Sequence, residues 1–195
     1  SKFIRQIDMK PKYIDLQVNG HGGVDLLSAK TTDEIRVVSR SLYKNEVAGY
    51  LPTIITSSLE SAVKAIKLIE QVRKDPKSGE ALILGIHLEG PFISTEKAGV
   101  HPKEFITPPN LNHLKALLTA GLVKQVTLAP EVSGAIDLIK FFITFRANWF
   151  NSSYLLYFAA FYAGNLYLYF LKVFCNNSLH IEVSLINSFY VIRFN

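Results

Sequence analysis

Cysteine is nearly absent from this 195-residue chain, since Cys175 is the single one. One cysteine excludes an internal disulfide and is typical of a reducing compartment, so we predict a cytoplasmic protein. The first ten residues contain no apolar run of the kind that a signal peptide requires. A dense basic block is also lacking, because the net charge of +5 comes from scattered lysines and arginines. This pattern predicts that nucleic acid is not a partner.

Charge and proline are scarce at the end of the chain. Residues 141–195 contain no proline and four charged side chains, and residues 147–171 contain no charge at all. An uncharged run of this length could form a membrane helix of about 20 residues. Its asparagines, serines and many tyrosines are atypical of such a helix, however.

The composition of this aromatic-rich tail also fits two origins besides a membrane helix. It could be a buried core segment, although no strand or helix periodicity persists in it. It could also be the product of a shifted reading frame or of read-through into A/T-rich DNA, which encodes mainly Phe, Tyr, Leu, Ile and Asn. We favour the shifted frame or read-through, and therefore divide the chain into a domain at 1–140 and an atypical tail at 141–195. A membrane partner is expected only if the tail is native.

Residues 12–140 alternate between strand-like and helix-like segments. Strands are predicted at 12–19, 49–57, 81–88 and 123–130, and helices at 31–47, 59–75 and 110–121, with a further helix beginning at 133. Regular alternation of this kind predicts an α/β fold with a parallel sheet. Four βα units in order fit the first half of a (β/α)₈ TIM-type barrel, and a doubly wound sheet is the alternative.

Polar residues occupy one face of the first predicted strand. Asp15, Gln17 and Asn19 alternate with Leu16 and Val18, so the three polar side chains point the same way. In a barrel, the side chains at the C-terminal ends of the strands line the active site. These residues therefore either serve a site or form a hydrogen-bonded network at the barrel opening.

The stretch GIHLEGPFISTEKAGVHP, residues 85–102, carries a carboxylate at the end of an apolar strand. His87 and Glu89 are two residues apart and share one face, and Gly90-Pro91 then turns the chain. A carboxylate with a histidine beside it suits a divalent metal. Pairing of Glu89 with a lysine, or capping of the next loop, is the alternative. His101 follows on a loop above this strand end.

Four blocks of sequence occur in a fixed order: YIDLQVNGHGGVDL, LPTIITSS, GIHLEGPFISTEKAGVHP and VTLAPE. Together they resemble the N-acetylglucosamine-6-phosphate deacetylases, metal-dependent (β/α)₈ barrels of the amidohydrolase superfamily. HLEGPF and the Gly-x-His after it are specific to that family. Q-x-N on the first strand replaces the H-x-H of other amidohydrolases, such as dihydroorotase-like or imidazolonepropionase-like enzymes. The resemblance runs from about residue 11 to residue 140.

The resemblance implies a role for five residues. Glu89 is similar to the family's metal-ligating glutamate. Val100 and His101 match positions that contact the sugar phosphate, and His101 is expected to hydrogen-bond the acetamide carbonyl. Gln17 and Asn19 are likewise expected to bind substrate. They stand where other amidohydrolases hold a second metal, so one divalent ion, Zn²⁺ or similar, is expected. The implied reaction converts N-acetylglucosamine 6-phosphate to glucosamine 6-phosphate and acetate, with a metal-activated water as the nucleophile.

The sequence also departs from the family pattern. The resemblance implies two further metal-ligating histidines, in G-H-S/T and T-H-L-F-N motifs, and a later aspartate as general base, and none of these motifs occurs here. We therefore predict a truncated form with an incomplete ligand set, no catalytic residue and no appreciable activity. The alternative is a non-catalytic truncated or membrane-associated fragment. The family is commonly homodimeric.

Overall fold

Strands and helices alternate through the part of the chain that the computed structural model describes, which comprises residues 13–149, 157–162, 165–175 and 179–186, with side chains as far as residue 142. The helices in these ranges are α1 (Thr32–Lys44), α2 (Leu59–Arg73), α3 (Leu111–Ala120) and α4 (Ala135–Trp149). The strands are β1 (Tyr13–Val18), β2 (Gly20–His21), β3 (Val24–Asp25), β4 (Val47–Ile55), β5 (Leu82–Ile83), β6 (Ile86–Glu89), β7 (Val123–Thr127), β8 (Tyr157–Tyr162), β9 (Asn165–Cys175) and β10 (Leu179–Ile186).

Three helices begin at a polar residue whose side chain accepts a backbone hydrogen bond. These residues are Thr31 before α1, Ser58 before α2 and Asn110 before α3. Thr31 and Glu34 form a reciprocal capping box, in which each side chain accepts a hydrogen bond from the other residue's backbone N–H. Each cap satisfies a backbone donor that the first turn of a helix leaves without a partner.

Among the differences from the predicted boundaries, the first predicted helix is shorter in the structure and the third predicted strand is divided in two. The first helix is predicted to reach residue 47 but ends at Lys44. Glu46 adopts a φ of 65°, which a right-handed helix does not accommodate, and β4 begins directly after it. The third predicted strand, 81–88, divides into β5 and β6. In the described sheet β5 pairs with β4, whereas β6 lies between β4 and β7 and pairs with both.

The parallel strands follow one another in space in the same order as in the sequence. The sheet runs β1-β4-β6-β7-β8, and every neighbouring pair along this path is parallel. The order never reverses, whereas a doubly wound sheet has a point where it does. The predicted α/β fold with a parallel sheet is thus confirmed, and its winding is consistent with part of a TIM-type barrel.

The hydrophobic core lies between this sheet and its helices. The helices contribute buried apolar residues at helical spacing: Ile35, Val38 and Leu42 from α1, Ala62, Ala65, Ile66, Ile69 and Val72 from α2, and Leu114, Leu117 and Leu118 from α3. A fully buried Val, Leu or Ile stabilises the fold by about 1.5–3 kcal/mol. Tyr50 of β4 is also buried, its hydroxyl 2.8 Å from Ser39 Oγ, and burial raises the pKa of this phenol. This packing fixes the parallel strands side by side.

The end of the described chain follows a different pattern. Helix α4 runs across position 140, and β9 pairs antiparallel with both β8 and β10. In the ranges that the structure describes, no helix has the length and hydrophobicity needed to cross a membrane. Residues 150–156 and 163–164, inside the predicted membrane segment 147–171, lie outside the described residues. The domain boundary and the origin of the tail stay predictions.

Candidate functional site at the C-terminal edge of the sheet

Polar side chains from neighbouring strands meet at the C-terminal edge of the parallel sheet. Gln17 lies near the end of β1, Thr56 directly follows β4, and Glu89 is the last residue of β6. His101 reaches the same edge from the loop after β6. We call Gln17, Thr56, Glu89 and His101 the edge cluster. Parallel strands bring these positions together because all their carboxyl ends point the same way.

Gln17 and Glu89 are hydrogen bonded across 72 residues of sequence. The amide Nε2 of Gln17 donates to Glu89 Oε1 at 2.9 Å. The backbone N–H of Gln17 is in turn fixed by Asp15 Oδ1 at 3.0 Å. The amide therefore fixes the direction of the carboxylate without neutralising its charge.

Glu89 has no cationic side chain beside it in the part of the chain that the structure describes. Ion pairs in this part of the chain include those of Arg36 and Arg40 with Glu80, of Arg36 and Lys77 with Asp75, and of Arg73 with Glu70, and none of these includes Glu89. Pairing of Glu89 with a lysine, the alternative drawn from the sequence, is not observed. A partly buried carboxylate held only by a neutral amide favours a positive ligand.

The loop between β6 and α3 brings His101 to the edge cluster. Ser94 caps a 3-10 turn at Thr95–Lys97, and the backbone N–H of His101 donates to Ala98 O at 2.9 Å. The ring nitrogen Nδ1 of His101 lies 2.8 Å from Thr56 Oγ1. Burial lowers the pKa of His101, and the negative charge of Glu89 acts in the opposite direction. The net effect is a lowered pKa, which favours the neutral imidazole.

Gly90 makes the close approach of Thr56 possible. Its φ of 86° lies in the region that favours glycine. A Cβ at this position would lie 2.0 Å from Thr56 Oγ1 and 3.7 Å from His101 Nδ1. Any larger residue would therefore displace the threonine hydroxyl from the edge cluster.

Val100 and Asn19, the other two residues predicted to contact substrate, are exposed. In the sequence, Val100 is next to His101 and Asn19 is two residues after Gln17. Val100 precedes His101 on the loop and is 87% exposed. Asn19 is exposed directly after β1, and its carbonyl accepts the backbone N–H of Leu26 at 2.9 Å. Gln17 is thus hydrogen bonded to Glu89, and His101 lies nearby. Among the described residues, no side-chain hydrogen bond joins Val100 or Asn19 to the edge cluster.

His87 has a different position from the one that a metal site beside Glu89 requires. It is 1% exposed, and burial lowers the pKa of its ring to about 4. Nδ1 must carry the proton, because it lies 3.2 Å from the Leu16 carbonyl, which can only accept. Nε2 then accepts from Thr127 Oγ1 at 2.8 Å and from Gln125 Nε2 at 3.2 Å. Both nitrogens are occupied, so His87 cross-links the strands instead of coordinating an ion.

Sequence reasoning missed the threonines that organise this region. Thr53 accepts the backbone N–H of Val18 at 3.0 Å and lies 3.3 Å from His87 Nδ1. Thr56 contacts both His101 and the carbonyl of Glu89. The signal that could have revealed Thr56 was the polar run Thr56-Ser57-Ser58 after an apolar strand, of which Ser58 alone is explained by its helix cap. Thr53 lies inside the apolar strand and gave no such signal.

The described residues do not by themselves fit a divalent metal ion. Within their ranges, no group of three or more His, Cys, Asp or Glu side chains converges as an ion would require. Glu89 supplies one carboxylate, and the buried ring of His87 is committed to hydrogen bonds. A tightly held zinc ion in a protein has three or four such ligands.

Similar proteins of known name match most of this chain. The N-acetylglucosamine-6-phosphate deacetylase of Caenorhabditis elegans is 34% identical over 148 residues, which are 70% of this chain and 34% of that protein. The Bos taurus enzyme of the same name is 36% identical over 138 residues, 68% of this chain and 33% of its own length. No protein-family model matches. The chain spans about a third of the length of these curated relatives.

Solved structures show the same likeness in three dimensions. The N-acetylglucosamine-6-phosphate deacetylase of Pasteurella multocida superimposes with a TM-score of 0.64 at 28% identity, covering 76% of this chain and 37% of that one. A variant of the Mycobacterium smegmatis enzyme, in complex with N-acetyl-D-glucosamine-6-phosphate, gives a TM-score of 0.60 at 27% identity, with 77% and 36% covered. Over the region that it shares with these enzymes, the chain belongs to the N-acetylglucosamine-6-phosphate deacetylase family.

Proposed function

We propose that the edge cluster is one wall of a site for N-acetylglucosamine 6-phosphate, whose acetamide is hydrolysed to acetate and the free amine in the complete enzyme. The observation that carries this proposal is the alignment of Gln17, Glu89 and His101 at the C-terminal edge of the sheet. Barrel enzymes bind their substrates at this edge. The likeness to deacetylases at 34–36% identity supports the choice of substrate.

In this proposal His101 donates a hydrogen bond to the acetamide carbonyl. Its ring is half-buried, which favours the neutral form, and Thr56 holds one nitrogen, which leaves Nε2 for the substrate. A donor aimed at the carbonyl oxygen stabilises the negative charge that develops there during hydrolysis. Val100 and Asn19, both exposed beside the edge cluster, would line the sugar.

Glu89 is the residue of this chain that we propose as a ligand for one divalent ion, Zn²⁺ or similar. Gln17 fixes one carboxylate oxygen and leaves the other available. The two histidine motifs that the resemblance implies do not occur in the sequence, so we propose that this chain carries an incomplete ligand set. We also propose that residues 1–140 are the first four βα units of a (β/α)₈ barrel, that 141–195 are a distinct tail, and that the protein is cytoplasmic.

Calorimetric titration of the purified chain with N-acetylglucosamine 6-phosphate tests the proposal. Glucosamine 6-phosphate, which lacks the acetyl group, is the matched ligand. We expect the acetylated sugar to bind about 5- to 10-fold more tightly, as one hydrogen bond predicts. His101→Ala should remove this preference, whereas His113→Ala, on α3, should keep it. Equal affinity of the unaltered chain for the two sugars, or binding of neither, would overturn the proposal.

Acetate release is the matching test of the incomplete ligand set. We expect no appreciable hydrolysis of N-acetylglucosamine 6-phosphate by this chain with added Zn²⁺, because Glu89 is the only described carboxylate or histidine that we assign to the ion. Sustained, chelator-sensitive release of acetate would contradict the assignment.

A further inference from the structure

Thr56, which lies in the block LPTIITSS, contacts two other members of the edge cluster at once. Its side chain is buried, with 2% of the residue exposed. Its hydroxyl lies 2.8 Å from His101 Nδ1 and 3.3 Å from the backbone carbonyl of Glu89. The hydroxyl has a single proton, so it can donate to one of the two at a time.

The two possible donations have opposite consequences for His101. If Thr56 donates to the Glu89 carbonyl, Nδ1 of His101 must carry the ring proton and donate to Thr56, and Nε2 of a neutral ring is then an acceptor. If Thr56 donates to Nδ1, the ring proton is on Nε2. The nitrogen left for a ligand is therefore a donor in one case and an acceptor in the other.

The second contact of the hydroxyl favours one of these alternatives. The distance of 2.8 Å to Nδ1 suits donation in either direction. A hydroxyl donates over about 2.5–3.0 Å, a range that includes its distance to Nδ1. The 3.3 Å separation from the Glu89 carbonyl is outside it. Within the described residues, no hydrogen bond engages Nε2 of His101, so this nitrogen is available.

The surroundings hold Thr56 in this orientation. It lies in the two-residue turn between β4 and Ser58, whose side chain caps α2 by accepting the N–H of Ser61. On the other side, the absent side chain of Gly90 leaves the space that the hydroxyl occupies. Both flanks of the turn are therefore fixed by the fold and not by His101.

We propose that Thr56 is a positioning residue that donates its hydroxyl proton to His101 Nδ1 and so fixes the imidazole as the tautomer protonated on Nε2. The edge cluster then offers a hydrogen-bond donor, which selects ligands that present a carbonyl oxygen. This specificity rests on the proposed function, because an acetamide carbonyl is such an acceptor. The tautomer itself does not depend on any ligand.

The ring ¹⁵N chemical shifts of His101 test the proposal directly. They distinguish a protonated nitrogen, a free acceptor and a hydrogen-bonded acceptor, and are measured in the full chain at about pH 8, where an ordinary histidine is neutral. We expect a protonated Nε2 and a hydrogen-bonded Nδ1. Thr56→Val should convert Nδ1 to a free acceptor, and Thr56→Ser should restore the signal. Thr119→Val, on the exposed side of α3, is the matched control and should change neither shift.

A protonated Nδ1 in the unaltered chain would overturn the proposal and needs no variant to be folded. Unchanged His101 shifts in a folded Thr56→Val variant would also overturn it. Titration with N-acetylglucosamine 6-phosphate distinguishes a failure of the proposed function from a failure of the role of Thr56. If the tautomer is as expected but the acetylated sugar does not bind, the proposed function fails and the role of Thr56 stands. If the sugar binds, Thr56→Val should weaken its binding about 5- to 10-fold.

Discussion

Glu70 and Glu89 are two carboxylates near opposite ends of the same sheet, and their partners differ in charge. Glu70 lies at the end of α2, beside the start of β7, and its side chain is 8% exposed. It accepts hydrogen bonds from Arg73 at 2.7 and 2.9 Å and from the backbone N–H of Leu122 at 3.0 Å. Glu89, at the C-terminal end of β6, accepts one from the neutral amide of Gln17.

This difference separates a carboxylate that serves the fold from one that serves a site. The charge of Glu70 is compensated within the chain, so its contacts are expected to stabilise the folded state. The charge of Glu89 is oriented but not compensated by the described residues, so it remains available to a cation. The same contrast applies to His87, whose two nitrogens are occupied, and His101, whose Nε2 is not.

The largest expected effect separates the two histidines. His87→Ala removes the cross-link to Leu16 and Thr127 and leaves a cavity, so we expect the free energy of unfolding to fall by about 3–5 kcal/mol. His101→Ala removes one hydrogen bond from a half-buried loop and should cost about 1 kcal/mol. Urea unfolding measures both. Equal losses of unfolding free energy in the two variants would contradict the distinction between the buried His87 and His101 of the edge cluster.

The next largest difference in stability is expected between variants of the two carboxylates. Glu70→Gln leaves Arg73 without its ionic partner, and we expect a loss of about 2–3 kcal/mol. Glu89→Gln removes a charge that no described cation compensates, so the stability should change by less than about 1 kcal/mol. Thermal and urea unfolding of the pair give the comparison. A larger loss at Glu89 would mean that it serves the fold.

A smaller difference in stability is expected between Gly90→Ala and a matched glycine variant. Gly90→Ala introduces a Cβ within 2.0 Å of Thr56 Oγ1 at a φ of 86°. Gly79, with a φ of 78° and no atom within 4 Å of such a Cβ, is the matched control. Both alanines have the backbone penalty of about 1 kcal/mol, and the steric conflict should add about 1–2 kcal/mol at Gly90 alone. Equal unfolding midpoints for the two variants would show that Thr56 is free to move.

The smallest effect is a pH dependence at Glu70. Burial alone would raise its pKa, but the hydrogen bonds from Arg73 and Leu122 hold the pKa of this carboxyl below its usual range. A carboxyl with a lowered pKa in the folded state stabilises the protein fully above its unfolded pKa, and the contribution is lost as the pH falls through the folded pKa. Unfolding between about pH 6 and pH 3 should therefore show a shallower pH dependence in Glu70→Gln than in the unaltered chain. Parallel curves would contradict this role.

Local patterns predicted the elements and the strand ends but not the contacts between them. The helix starts predicted at 31 and 59 agree with the structure to within one residue, because the residues that begin a helix are adjacent to it in the sequence. The proximity of Gln17 and Glu89 follows from two strand ends of one parallel sheet. The bond from Thr56 to His101 depends instead on how a loop folds back over a strand end 45 residues earlier.

His87 illustrates the same limit. Its spacing from Glu89 gives both side chains one face of β6, and the sequence therefore suggested a shared site. The structure separates them by depth, because pairing with β4 and β7 puts Thr53 and Gln125 level with His87 and encloses its ring. How deeply each residue on one face of a strand is buried depends on the neighbouring strands. The sequence of one strand does not contain this information.

In our proposal the C-terminal edge around Glu89 binds the substrate, while the opposite end around Glu70 serves only stability. Mapping the backbone amide shifts of the full chain during titration with N-acetylglucosamine 6-phosphate distinguishes the two ends in a single experiment. We predict the largest changes at Gln17, Gly90 and Val100–His101, and none at Arg73 or Leu122. Changes confined to the region of Glu70, or no saturable change anywhere in the folded chain, would contradict this division of roles.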